Sequence, residues 1–168
     1  MATPRSSGSI RATRVLGDRG TGAEPAPAPE DIADPRAPRQ LVDHSLARRQ
    51  AILEIKRTGG FHFDGSDTDP YLLRAAAHYG TQTNRPCPIC DKNDVIDLIY
   101  VYSRELGYAS GRARRPHELA GLATSHGFLR VFTLEVCPGC GWNHVLTTYL
   151  IGDGKPRRPA RKPRGLVD

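Results

Sequence analysis

The four cysteines of this chain fall in two pairs, Cys87-Pro88-Ile89-Cys90 and Cys137-Pro138-Gly139-Cys140, with 46 residues between the pairs. One Cys-x-x-Cys turn can present two thiolates to a single ion. Two such turns complete a tetrahedral Cys₄ set that leaves no position for water. A closed site of this kind ties a fold together and performs no hydrolysis. The fold must therefore bring two turns that are distant in sequence to one point. Proline after the first cysteine of each pair presets φ for the turn. The residue after the second cysteine has to reach positive φ, which Gly141 does at little cost and Asp91 tolerates better than most residues. One structural Zn²⁺ is the expected cofactor, held by Cys87, Cys90, Cys137 and Cys140. Iron suits the same tetrahedral sulfur set. Arg85 and Arg130 are near enough in sequence to offset the charge of four thiolates.

Two other uses of the thiols compete with metal binding. Disulfides belong to oxidising compartments. A Cys-Pro-Gly-Cys loop also resembles a dithiol oxidoreductase, but that chemistry needs a cysteine at a helix N-terminus. Both loops here run into or between expected strands. No histidine stands three residues before either pair, where Asn84 and Leu134 occur, so an analogy to zinc anti-sigma factors is weak. A redox-responsive zinc protein stays open as an alternative.

The chain has 168 residues, 38% hydrophobic and 25% charged, which fits one small domain with tails. Residues 1–39 read as a disordered Pro/Ala/Gly-rich arm, 40–151 as a zinc-ribbon-like domain, and 152–168 as a basic disordered tail. The net charge of +6 is concentrated in that tail, where six Lys/Arg face two acids. It reads as solubilising, or as a salt-sensitive contact to nucleic-acid phosphate. No run of 18 or more apolar residues is present and Met1–Arg14 has no apolar signal core, so a cytoplasmic location is expected.

Apolar spacing predicts a helix over Gln40–Arg57, with Leu41, Val42, Leu46, Ile52, Leu53 and Ile55 mainly inward and Gly59-Gly60 as its stop. A second helix follows, capped by Asp69, opened by Pro70 and stopped by Gly80. Its Leu72, Leu73, Ala76 and Ala77 are expected to dock on the first helix or the sheet. Val95–Tyr102, Phe128–Val136 and Asn143–Ile151 read as strands, and a third helix spans Pro116 to about Ser125. The fold class is α+β: a small three-stranded antiparallel zinc-ribbon-like sheet with two N-terminal helices and one inserted helix.

Other residues carry weaker signals. His144, four positions after Cys140, is surplus to a complete cysteine set and reads as a packed strand histidine. Trp142, the single tryptophan, is expected to be buried over the metal site or the sheet. His62, His78, His117 and His126 have no mutual spacing that suggests catalysis. Gly107–Gly111 lacks the lysine and the strand–helix setting of a phosphate loop. No enzyme signature stands out, and no small-molecule substrate or membrane partner is evident. The surface candidate is the loop from Gly107 to Arg115, where Tyr108, Arg112, Arg114 and Arg115 offer donors to phosphate or to an acidic protein patch.

The stretches Asp69-Pro-Tyr-Leu-Leu-Arg-Ala-Ala76, Cys87-Pro-Ile-Cys90, Tyr100-Val-Tyr102, Glu105-Leu-Gly107, Ser110-Gly-Arg-Ala-Arg114 and Glu135-Val-Cys-Pro-Gly-Cys-Gly-Trp-Asn-His144 together carry a resemblance. They resemble an actinobacterial family of uncharacterised proteins with paired Cys-x-x-Cys motifs, a domain of unknown function, over about residues 40–151. The resemblance implies an intracellular source and no activity. The functional expectation is a non-enzymatic zinc module that binds a macromolecule: transcription or translation machinery, or nucleic acid. A protein-only adaptor is the alternative, and an enzyme with a site invisible to motifs is a third.

Overall fold

The computed structural model describes residues 32–58 and 68–159. The Gly59-Gly60 helix stop, most of the expected arm and the end of the expected tail lie outside the described residues. The described elements are β1 (Arg39–Asp43), α1 (Ser45–Arg57), α2 (Pro70–Tyr79), β2 (Thr81–Pro86), β3 (Asp94–Tyr102), β4 (Arg112–Arg114), α3 (Glu118–Ser125), β5 (Leu129–Val136) and β6 (Asn143–Ile151). A 3₁₀ turn at Gly107–Ala109 precedes β4.

The α+β class holds, but the three-stranded sheet does not: six strands form one antiparallel sheet. Its order is β1-β6-β5-β3, and β2 and β4 share the remaining edge of β3. β2 pairs with the first half of β3, Thr81 opposite Asp97, and β4 with the second half, Val101 opposite Arg112. The expected strands β3, β5 and β6 form the centre. The additions are the three peripheral strands, which satisfy backbone groups that would otherwise be left at the edges of β6 and β3.

The largest correction is at the start of the first expected helix. Arg39–Asp43 is a strand along β6, with Val42 opposite Thr148. Asp43 closes it, its carboxylate accepting from Ser45 N at 2.7 Å, and the His44 N–H still reaches the Leu146 carbonyl at 2.9 Å. Helix α1 begins only at Ser45, and its phase differs from that expected. Ala51, Ile52 and Ile55 pack inward, while Leu46 and Leu53 are 73% and 64% exposed.

Helix α2 forms as its sequence predicts. Pro70 occupies the first turn and the Asp69 carboxylate accepts from Tyr71 N at 2.8 Å. Leu72 and Ala76 are buried, Leu73 and Ala75 pack beside them, and Ala77 faces outward. Replacing Asp69 by Ala removes the cap and is expected to cost about 1 kcal/mol. A urea melt of Asp69→Ala indistinguishable from that of the parent would contradict this role.

Two apolar clusters and a smaller third sit on the sheet. Because side chains alternate across a strand, Ile96 and Leu98 of β3 and Leu134 and Val136 of β5 meet α2 on one face. Val101, Leu129, Val131 and Ile151 meet Leu119, Leu122 and Ala123 of α3 on the other. The third cluster joins α1 to the cysteines.

Packing continues past Ile151. Gly152 N donates to the Pro35 carbonyl at 2.8 Å and Gly154 N to the Gly127 carbonyl at 3.0 Å. The buried carboxylate of Glu105 accepts from Gly127 N at 2.8 Å and from Arg157 N at 3.2 Å. Arg157 also pairs with Asp153 and, by that hydrogen bond, holds its carboxyl down at about 2.

Candidate metal centre

The sheet topology itself brings the cysteine pairs together. The first turn is the tip of the β2–β3 hairpin and the second is the tip of the β5–β6 hairpin. β3 and β5 are antiparallel neighbours, with Ile96 opposite Val136, so the start of β3 lies beside the end of β5. The two tips therefore project from the same end of the sheet.

Each turn is built in the same way. Asp91 N donates to the Cys87 carbonyl and Gly141 N to the Cys137 carbonyl, both at 3.0 Å. Asp91 has φ of +53° and Gly141 +76°, as the positions after the second cysteines require. The turns are anchored to their strands by Cys87 N to the Asn93 carbonyl (2.9 Å) and Cys137 N to the Trp142 carbonyl (2.7 Å). A Cβ on Gly139 would run into the Asn93 side chain of the opposing loop. That close approach explains the glycine in the second turn.

The four sulfurs lie within 4.8 Å of one another. Cys87 Sγ to Cys140 Sγ is 3.6 Å and Cys90 Sγ to Cys137 Sγ is 3.7 Å. Sulfurs ~2.3 Å from one tetrahedral ion would stand about 3.8 Å apart. A disulfide would place them ~2.05 Å apart, so these thiols are free. The donor set fits one metal ion. Cys87 and Cys137 are buried, whereas Cys90 and Cys140 are partly exposed.

The surroundings make the thiols unequal. Burial pushes the Cys87 and Cys140 thiols up. At Cys90 the effect of burial is outweighed by the backbone N–H groups of Lys92 and Asn93 and by the Cys137 and Cys140 thiols, which bring it down to about 6. A metal ion would replace this mixture with four thiolates.

Trp142 is buried against Cys87, Cys137 and Val95, and α1 closes over them with Ala51, Ile52 and Ile55. His144 stacks on Trp142 at 5.8 Å between centroids and 17° between planes. It is a packed strand histidine and not a member of the sulfur cluster. Burial holds its imidazole below the ordinary value.

Sequence reasoning missed the charge that locks this cap. Glu135 is 1% exposed. Its carboxylate accepts from Arg48 Nε at 2.6 Å, Arg48 Nη2 at 3.0 Å and Trp142 Nε1 at 2.8 Å. The bidentate pair fixes α1 to β5 two residues before Cys137. An acid on the inward side of a strand was the available signal, but its partner lies 87 residues away.

Other expectations are placed differently. Arg85 pairs with Asp97. Arg130 lies at the far end of β5, opposite Tyr102, away from the sulfurs. In the loop candidate, Arg112 stacks over Tyr108 at 5.4 Å, and Tyr108 is 44% exposed. Arg114 pairs with Glu118 at 3.7 Å, and Arg115 donates to the His78 carbonyl at 3.2 Å. By register Arg112 and Arg114 share rows with Val101 and Ile99, on the α3 face, whereas Arg115 reaches α2 on the other face. The four residues do not form one projecting cluster.

The model of a family of unknown function, DUF5318, matches residues 35–165. The chain belongs to the DUF5318 family. Uncharacterized proteins of Mycobacterium bovis and Mycobacterium tuberculosis are 39% identical to it over 126 residues, 74% of this chain and 90% of theirs. The resemblance drawn from the sequence stretches is thereby established, and like DUF5318 itself these relatives bring no activity. No solved structure matches the chain. Among the described residues, no helix is long and apolar enough to cross a membrane.

Proposed function

We propose that this chain is a non-enzymatic module whose fold is held by one structural Zn²⁺ and which docks on a macromolecule: transcription or translation machinery, or nucleic acid. One observation carries the reading. Four cysteine sulfurs lie within 4.8 Å of one another beside an apolar cap, and four thiolates would leave a metal no open position for a substrate or water. The net charge of +6 supports a polyanionic partner or an acidic protein surface. The tagged full chain, purified from its native host with and without nuclease, should bring down nucleic acid or ribosomal or polymerase subunits. Nuclease-resistant recovery of other proteins alone favours the protein-only adaptor. Recovery of none of these discards docking on such machinery.

A further inference from the structure

Helix α1 has two apolar sides. Ala51, Ile52 and Ile55 fall on the side that packs over the cysteines, with Arg48 paired to Glu135 among them. Leu46, Gln50, Leu53 and Arg57 fall within about 60° of arc on the opposite side, at 3.6 residues per turn, and all four are exposed. Leu46 is 73% and Leu53 64% exposed. Among the described residues, the exposed large aliphatic side chains are Leu41, Val42, Leu46 and Leu53, all in β1 and α1, whereas the other large exposed apolar residues are tyrosines. Charge on this side is equally uneven. Arg49 and Lys56 run along one margin of the leucines, and Arg57 follows Leu53. None of these three cations has a side-chain ion pair or hydrogen bond among the described residues. Glu54 is the only acid of the helix. In a heptad, Leu46 and Leu53 repeat one seam position, Gln50 and Arg57 the other, and Arg49 and Lys56 stand beside the seam.

We propose that this outward side of α1, with Leu46 and Leu53 as anchors and Arg49, Lys56 and Arg57 around them, docks an acidic amphipathic helix of a partner protein. The inference rests on the reading above that the module docks on a macromolecule, and it names the partner class. Leucines one heptad apart, ~10.5 Å along the axis, match the i, i+3, i+4 and i+7 anchors of an amphipathic helix. Acids beside those anchors meet the cations, which selects the partner and its orientation. A second copy of the chain fits poorly. Antiparallel pairing of two α1 helices sets Arg49 against Lys56, and parallel pairing sets Arg57 against its own copy. A phosphate backbone satisfies the cations but leaves both leucines in water.

The test uses the full, metal-loaded chain and fluorescence anisotropy with a labelled synthetic helix of about eighteen residues, five turns. The probe carries leucines at heptad spacing with glutamates on both flanks. Two matched probes replace every glutamate by lysine, or every leucine by alanine. The glutamate–leucine probe is expected to bind about tenfold more tightly than either. Leu46→Gln and Leu53→Gln keep helix propensity and should each weaken binding about tenfold. Metal content and melting temperature should be retained, because both residues face solvent. Arg49→Gln should weaken binding about twofold at ~50 mM salt. Tyr71→Ser, on α2 and the other face of the sheet, should leave it unchanged. Equal binding of the glutamate and lysine probes overturns the proposal, and so does binding that ignores both leucine variants. No binding of the acidic probe at ~50 mM salt by a folded, metal-loaded chain overturns it as well. Docking through another face is read separately, as recovery of ribosomal or polymerase subunits that persists with both leucine variants. Dimerisation in sedimentation that both leucine variants abolish assigns the stripe to a second copy instead.

Discussion

Replacing Cys137 by Ser is expected to abolish cooperative folding at 37 °C. Cys137 is fully buried, it anchors the β5–β6 tip through Trp142, and its thiolate completes the tetrahedral set. Structural zinc contributes an apparent ~10–16 kcal/mol in small zinc peptides, whereas a whole domain has a margin of ~5–15 kcal/mol. Loss of the whole metal term, ~10–16 kcal/mol, is as large as that margin. The six-stranded sheet has apolar clusters away from the cysteines, so damage should begin at the tips and spread. The single tryptophan reports it directly, because Trp142 sits between the two turns. Its fluorescence should shift to the red and the near-ultraviolet circular dichroism should collapse. Cys87→Ser should match it, since Cys87 is equally enclosed. Native-like Trp142 emission in both variants would contradict a structural role for the cluster.

Removing the Glu135 carboxylate is expected to cost about 3 kcal/mol, the low end for breaking a buried ion pair from one side, because Arg48 is partly exposed. Glu135→Ala takes the carboxylate from the partly exposed Arg48 guanidinium and the acceptor oxygen from the Trp142 indole N–H. Much of the destabilisation comes from losing the acceptor inside the buried Trp142 site. Glu135→Gln keeps an acceptor oxygen and should cost less. A double change, Glu135→Leu with Arg48→Met, removes both charges together and should recover much of the loss. Urea unfolding of the four proteins makes the comparison. A Glu135→Ala cost below about 0.5 kcal/mol, the scale of an ordinary surface change, would show that the clasp does not hold α1 to the sheet.

What the sequence revealed follows from how local each signal is. Strand β6 matched its expected span, Asn143–Ile151, because alternation and β-branching are concentrated there. Helix α2 was legible from Asp69-Pro70 alone, since cap and first turn are adjacent in the chain. β1 was not, because Leu41 and Val42 also fit a helical phase and their strand conformation comes from pairing with Thr147–Leu150, over a hundred residues away. β2 was missed for a different reason. Thr81–Pro86 is an edge strand with hardly any buried face, so it carries no apolar alternation. The cysteine turns were readable because two-residue spacing, proline and the positive-φ positions are all local. The clasp on Glu135 was not, since it is created by contacts between a helix and strands that sequence order keeps apart.

Metal content measured together with thermal unfolding decides whether the four cysteines hold a structural metal. The chain, expressed in zinc-containing medium and purified without added metal, should carry one zinc ion per molecule by inductively coupled plasma mass spectrometry. A strong chelator should strip that ion and lower the melting temperature by tens of degrees, with recovery on adding zinc back. A metal-free chain that melts at the same temperature with and without chelator would show that no metal holds the fold.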